Sequence, residues 1–302
     1  MPANRHILIS GASGLLGSAL APVLRSAGYE VSPLRRTVSA PARGEATWNT
    51  ETNRMNLDTL PALEAVVHLA GESVAQRWTA RAKQRMWDSR CTGTRALVQA
   101  LLERPTLPRV LLCASAIGYY GNRGAAWVDE TAGRGEGFLA ELTGEWEAAA
   151  EMARAAGIRV VYLRFGIVLA REGGALAKML PAFRLGLAGR LGDGSQYWSW
   201  ITRHDVVRAV RHALENQTVA GAVNVVAPNP VTNLEFTRTL GSVLHRPTWL
   251  AVPRFLIEGM LGPMGREVLL SSCRVRPGRL NATGFTFEQP NLRSALEELL
   301  ER

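Results

Sequence analysis

The chain has 302 residues, 47% of them apolar and 20% charged, which are the values of a globular protein with enough chain for one large domain or two. No stretch approaches the ~18 uninterrupted apolar residues of a membrane span, and the N-terminus runs directly into a strand pattern, so neither a membrane partner nor a signal peptide is expected. The net charge of +9 comes from scattered arginines, Lys83 and Lys178 being the only lysines, and with no basic run interleaved with aromatics no nucleic-acid partner is expected.

The first element is an apolar run, Ile7-Leu8-Ile9, that suits a buried strand. Gly11, Gly14 and Gly17 follow at spacings of three, and then Leu16, Leu20, Val23, Leu24 and Ala27 recur at helical spacing until Gly28. Strand, glycine turn and helix form the unit that holds a pyrophosphate. Its amides and the positive helix end face the anion, and a Cβ at the glycines would block the approach. A plain tight βα turn is the alternative reading. The next strand, Tyr29 to Leu34, ends in Arg35-Arg36. An acidic residue there would bind the free 2′-hydroxyl of NAD, whereas guanidinium groups suit a 2′-phosphate, so the pair points to NADP(H) over two solvated loop arginines.

Residues 37–64 read as polar and irregular, with a short strand near Thr47-Trp48. Ala65 to Gly71 reads as a buried strand ending in a small-residue turn, with His68 inside the apolar run and more readily a core histidine than a catalyst. Thr79 caps a long helix to about Glu103, which Pro105 and Pro108 break, and Val110 to Ser115 is another buried strand. A helix over 136–156 and a strand from Arg159 to Arg164 follow. Strands alternating with helices imply a parallel sheet, an α/β Rossmann-like doubly wound fold with a smaller C-terminal, substrate-side lobe.

The division falls near residue 170: residues 1–170, with 198–227 contributing, form the cofactor-binding part, and 171–302 the smaller part. Six glycines between 173 and 194 flank a short helix, Ala175–Leu185, and read as a mobile cover for a cleft or as a loop-rich connection. Trp198 and Trp200 alternate onto one face and suit core packing or a substrate wall. Asp205 fits the first turn of a helix starting at Thr202, Thr232 and Glu235 form a capping box, and Leu292 to Leu300 closes the chain as an amphipathic helix. Cys91, Cys113 and Cys273 match no metal or disulfide spacing, so no metal and a cytoplasmic location are expected.

The G-x-x-G-x-x-G spacing resembles the extended, epimerase-like branch of the short-chain dehydrogenase/reductases. HLAGESVAQRW, ASAIGYYGNRG, the stretch from GGALAKMLPAF to YWSWI, and RLNATGFTFE together resemble a narrower group. This is the atypical extended reductases labelled "epimerase family", which carry a C-terminal domain of unknown function. The resemblance implies NADP(H) as cofactor. Gly11, Ser13, Gly14, Leu15, Leu16 and Gly17 would hold the pyrophosphate, and Arg35 and Arg36 the 2′-phosphate. Leu69, Ala70 and Gly71 would border the adenosine side, Arg90 would face the cofactor, and Ser115 and Ile167 would lie at the nicotinamide.

Ordinary members pair a Tyr with a Lys four residues on, whose charge lowers the phenol pKa. Between Gly121 and Val161 this chain has neither, and none of its five tyrosines has a Lys at i+4. The helix offers Phe138, Leu139, Leu142 and Thr143 instead, and Ala116 stands where the usual serine would be, one place after Ser115. The catalytic residues are therefore unknown, with Ser115, Tyr119, Tyr120, Glu141 and Glu145 as candidates. The expected function is an NADP(H)-binding oxidoreductase or sugar-nucleotide-epimerase-like enzyme with an unidentified small-molecule substrate. The alternatives are a non-catalytic NADP(H)-binding regulator, for example of cell division, and a scaffold. The oligomeric state stays open between monomer and homodimer.

Overall fold

A computed structural model describes residues 5–37 and 45–301. Residues 38–44, within the stretch read as irregular, lie outside them. Eight strands form the main sheet: β1 His6–Ser10, β2 Glu30–Arg36, β3 Ala46–Asn49, β4 Arg54–Asn56, β5 Ala65–His68, β6 Val110–Ala116, β7 Arg159–Phe165 and β8 Gly221–Val225. Their order is β8-β7-β6-β5-β1-β2-β3-β4, and all pairs are parallel except β3 with β4. The helices are α1 Gly17–Ser26, α2 Ala80–Trp87, α3 Gly93–Leu102, α4 Phe138–Ala148, α5 Glu151–Ala155, α6 Gly174–Arg184, α7 Arg203–Glu215, α8 Asn233–Val243, α9 Arg254–Leu261, α10 Gly278–Ala282 and α11 Leu292–Glu301.

Side chains alternate across a strand, so β1 feeds two cores. Ile7 and Ile9 pack with Leu20 and Leu24 of α1 and Val206, Val210 and Leu214 of α7. Leu8 faces the opposite side, with Met86, Leu97 and Leu101 of α2 and α3 and Leu142 and Trp146 of α4. Helices thus cover both faces, the doubly wound arrangement. A third core joins Leu176, Leu180 and Phe183 of α6, Phe236 and Leu240 of α8, and Leu292 and Leu296 of α11 around Trp198 and Trp200.

Several elements depart from the expectation. The helix read from Thr79 to Glu103 is two helices joined by a wide turn over Asp88–Thr92. The Asn53 side-chain amide takes up the Thr92 carbonyl at 3.2 Å, and a Cβ on Gly93 would sit 2.8 Å from the Trp48 ring, so the earlier β3–β4 hairpin fixes the break. The helix over 136–156 is divided into α4 and α5. Trp198 and Trp200 belong to different short strands. Tyr197–Trp198 pairs antiparallel with Val231–Thr232, and Trp200–Thr202 pairs parallel with Ile167–Leu169. Asp205 is fully buried, pairs with Arg208 at 2.9 Å and accepts the amides of Glu288 and Gln289, so it ties the C-terminal segment to α7, while Thr202 caps that helix.

Candidate functional site

The order of the sheet reverses at β1, which has β2 on one side and β5 on the other. In open α/β sheets this switch point, at the carboxyl ends of the strands, is where ligands bind. Gly11 leaves β1 with φ +69°, and a Cβ there would sit 2.9 Å from the Leu69 carbonyl. Gly17 opens α1 so close to the turn that a Cβ would lie 2.3 Å from the Gly11 oxygen. These two glycines let β1, the end of β5 and the start of α1 converge on one corner. The Ser18 amide is taken up by the Gly14 carbonyl at 3.0 Å, and the start of α1 turns its positive helix end to this corner.

Under this corner lies a cavity of about 380 Å³. Gly11, Gly14, Leu15, Leu16 and Gly17 line it from the first βα turn, Leu69, Gly71 and Val74 from the end of β5, and Ala114, Ser115 and Ala116 from β6. Leu139, Leu142, Thr143 and Trp146 of α4 form the opposite wall with Phe165, and Arg90 closes one side. The Arg90 guanidinium stacks 5.0 Å from the Trp146 ring and donates to the Met86 carbonyl at 3.4 Å; burial pulls its pKa down to about 10. It is a half-buried cation on the cavity wall, and Gly71 makes room for it, since a Cβ there would lie 3.2 Å from the guanidinium carbon.

Arg35 and Arg36 end β2 exposed, next in register after the Ser10–Leu34 pair, and so run out beside the glycine corner. Arg35 lies 3.8 Å from Glu45. Ser13 is exposed on the turn, and Ala70 holds its backbone to the Ser10 hydroxyl at 3.2 Å. Ile167 is displaced from the first cavity and lines the second.

The candidate proton donors do not converge. Ser115 lines the cavity, but its hydroxyl donates to Glu147 at 2.7 Å. Glu147 is held in turn by Arg164 through two bonds of 2.8 and 2.7 Å, and Arg164 also donates to the Tyr120 hydroxyl, which donates to Asn224. Tyr120 is buried in this network, and burial pushes its pKa up to about 12. The Tyr119 ring lies 3.6 Å under the Arg164 guanidinium. Glu141 is exposed and Glu145 faces Arg95 at 3.7 Å. Tyr119, Tyr120, Glu141 and Glu145 line neither cavity, because the network and the helix rotation point them elsewhere. The α4 residues that face the first cavity are Leu139, Leu142, Thr143 and Trp146, none of them a Tyr or Lys. The Thr143 hydroxyl is spent on the Leu139 carbonyl at 2.6 Å.

A second cavity of about 530 Å³ adjoins the first, and Gly118, Leu139 and Phe165 line both. Its far wall is Tyr197, Trp198, Arg254, Arg266, Glu267 and Leu270. Glu267 accepts the Leu139 amide at 2.9 Å and so caps α4, whose preceding residue, Gly137, has φ +102° and no side chain to do so. Trp198 fits the substrate-wall reading of its sequence, whereas Arg254, Arg266, Glu267 and the Trp146–Arg90 stack carry no signal there, because no local pattern marks residues that meet across fifty positions or more.

The chain matches the model of the NAD dependent epimerase/dehydratase family over residues 7–226 and that of a domain of unknown function, DUF1731, over residues 252–299. An epimerase family protein of Mycobacterium leprae is 41% identical over 291 residues, covering 96% of this chain and 94% of the relative. The crystal structure of human epimerase family protein SDR39U1 (isoform 2) with NADPH superposes with a TM-score of 0.89 at 34% identity, covering 98% of this chain and 99% of that one. A UDP-N-acetylglucosamine 4-epimerase from Bacillus cereus shares the fold at a TM-score of 0.74 and 18% identity, over 98% of each chain.

Proposed function

This chain belongs to the NAD dependent epimerase/dehydratase family, and within it we propose that the protein is an NADP(H)-binding oxidoreductase, or an epimerase-like enzyme, that acts without the usual Tyr–Lys pair. The observation that carries this reading is the junction of two cavities at Gly118, Leu139 and Phe165. One has the glycine corner and the half-buried Arg90 guanidinium, and the other offers ionisable groups to a second small molecule.

The residues fit the cofactor. A Cβ at Gly11 or Gly17 would fill the corner, so the backbone is bare where a pyrophosphate must approach. Arg90 is a half-buried cation on the same cavity, and Arg35 and Arg36 supply the charge a 2′-phosphate needs. NADPH bound there would supply a hydride. Residues 1–170 with 198–227 would hold it, and 171–302 would bring the substrate side. Glu136, Glu267 and Tyr197 line the second cavity and can carry a proton, while Arg254 and Arg266 can hold an anionic substrate group. The location we propose is the cytoplasm; no helix among the described residues is long and apolar enough to cross a membrane.

The wall that α4 presents to the first cavity, Leu139, Leu142, Thr143 and Trp146, favours a second reading, a non-catalytic NADP(H)-binding regulator, because it holds no acid or base and the Thr143 hydroxyl is committed to the Leu139 carbonyl. Turnover separates the two. The protein is incubated with NADPH carrying deuterium at C4 and a panel of carbonyl compounds, and separately with NADP+ and a panel of nucleotide sugars. Transfer of the label to one carbonyl compound, or conversion of one nucleotide sugar to its epimer, supports the enzyme. Tight cofactor binding with neither outcome supports the regulator.

A further inference from the structure

Beyond the two cavities, one face of the molecule exposes large apolar side chains. Leu185, Leu187, Trp249, Leu250, Phe255 and Met260 are each between 52% and 87% exposed. They come from two distant stretches that the fold brings together. Gly189–Leu191 pairs in parallel with Leu250–Val252, and Arg246 donates to the Arg184 carbonyl at 2.8 Å. Helix α9 follows directly, burying Ile257 and turning Phe255, Leu256 and Met260 outward. Isolated exposed apolar residues are ordinary, but a contiguous group marks a contact surface.

Charge decides what the surface meets. Residues 184–191 and 246–266 carry five arginines, Arg184, Arg190, Arg246, Arg254 and Arg266, and a single acid, Glu258. All five arginines are exposed. Glu258 lies 2.9 Å from Arg254 and 3.8 Å from Arg266, so Arg184, Arg190 and Arg246 have no carboxylate partner among the described residues. Of the flanking acids, Asp193 turns its carboxylate onto the amide and hydroxyl of Ser195, and Glu267 turns its own onto the Leu139 amide. A second copy of this chain placed face to face would bring two like-charged rims together. An apolar centre with exposed Trp and Phe inside an arginine rim instead suits an interface of headgroups and acyl chains.

We propose that this face docks the protein peripherally on an anionic phospholipid surface. Such docking needs no spanning helix, and the absence of a membrane partner expected from the sequence rests on the absence of a span alone. The contact is independent of the proposed reaction, although Arg254 and Arg266 also line the second cavity and place it at the edge of the face.

The test is co-sedimentation of the full chain with vesicles of phosphatidylcholine alone and with about 30% phosphatidylglycerol. Binding should be at least ~10-fold stronger to the anionic vesicles and should fall as salt is raised. Trp249→Ser with Phe255→Ser, and separately Arg184→Glu with Arg190→Glu, should each lower it by ~10-fold or more, with melting temperature and NADPH binding unchanged. Three results would overturn the proposal: no binding to either vesicle, equal binding to both that these variants leave intact, or a dimer in sedimentation velocity that the same variants dissociate.

Discussion

His68 is buried and Glu147 largely so, and the fold around them specifies their hydrogen-bond partners. The Ser10 hydroxyl accepts the Leu69 and Ala70 amides at 3.1 and 3.2 Å, so its own proton goes to His68 Nδ1 at 2.6 Å. That leaves His68 Nε2 protonated and donating to the Thr94 hydroxyl at 3.0 Å, where the Trp146 indole also donates. The ring is neutral, and burial lowers its pKa from 6.5 to about 4. A depressed histidine pKa means that the unfolded chain binds the proton more readily. Its contribution is therefore complete above pH 6.5 and is lost as the pH falls from there towards 4, by roughly 3 kcal/mol. Urea unfolding at pH 7 and pH 4.5 should show the loss, and His68→Asn should flatten that part of the profile. An unchanged slope in the variant would refute the assignment. Glu147→Gln should act differently. It leaves the Arg164 guanidinium, whose side chain is 5% exposed, without its counter-charge, and should cost about 3–5 kcal/mol in urea unfolding at neutral pH.

At the scale of elements, the glycine corner and the helix caps are local patterns and were legible. Gly11, Gly14 and Gly17 lie within one turn of chain, and the Thr232–Glu235 box closes within four residues, with both reciprocal bonds formed. Thr232→Ala should therefore destabilise by about 1 kcal/mol, measurable as a lower urea midpoint. What the pattern could not carry is the break between α2 and α3 or the cap on α4. The first is fixed by Asn53 and Trp48, and the second by Glu267, all remote in sequence. The glycine corner makes a sharper demand than the caps. Gly11→Ala would force a side chain into φ +69° and against the Leu69 carbonyl. The expected result is a loss of ~1–3 kcal/mol in stability together with weaker NADPH binding, since the Leu69 backbone must move into the cavity. Normal affinity in a folded Gly11→Ala protein would show that the corner does not touch the cofactor.

Over the whole molecule, the doubly wound sheet was readable because each strand and helix announces itself by its own period, whereas the second cavity was not. Its walls come from the segment after β6, the start of α4, the end of β7, the Tyr197 strand and the final fifth of the chain, and only folding brings them to one place. The proposed cofactor site is likewise a property of the assembled molecule, because the bare corner at Gly11, the Arg90 side and the Arg35–Arg36 end of β2 are separate stretches. A ligand held by all three binds the folded state alone, so NADPH at a hundred times its dissociation constant should add about 2.7 kcal/mol to stability and raise the melting temperature. NADH lacks the 2′-phosphate and forfeits whatever Arg35 and Arg36 contribute. Arg35→Ala with Arg36→Ala should therefore weaken NADPH much more than NADH, bringing the two thermal shifts together, and the preference for NADPH should shrink as salt screens these exposed guanidinium groups. Equal losses for the two cofactors would mean that the end of β2 does not read the phosphate, and the assignment of NADP(H) over NAD(H) would have to be given up.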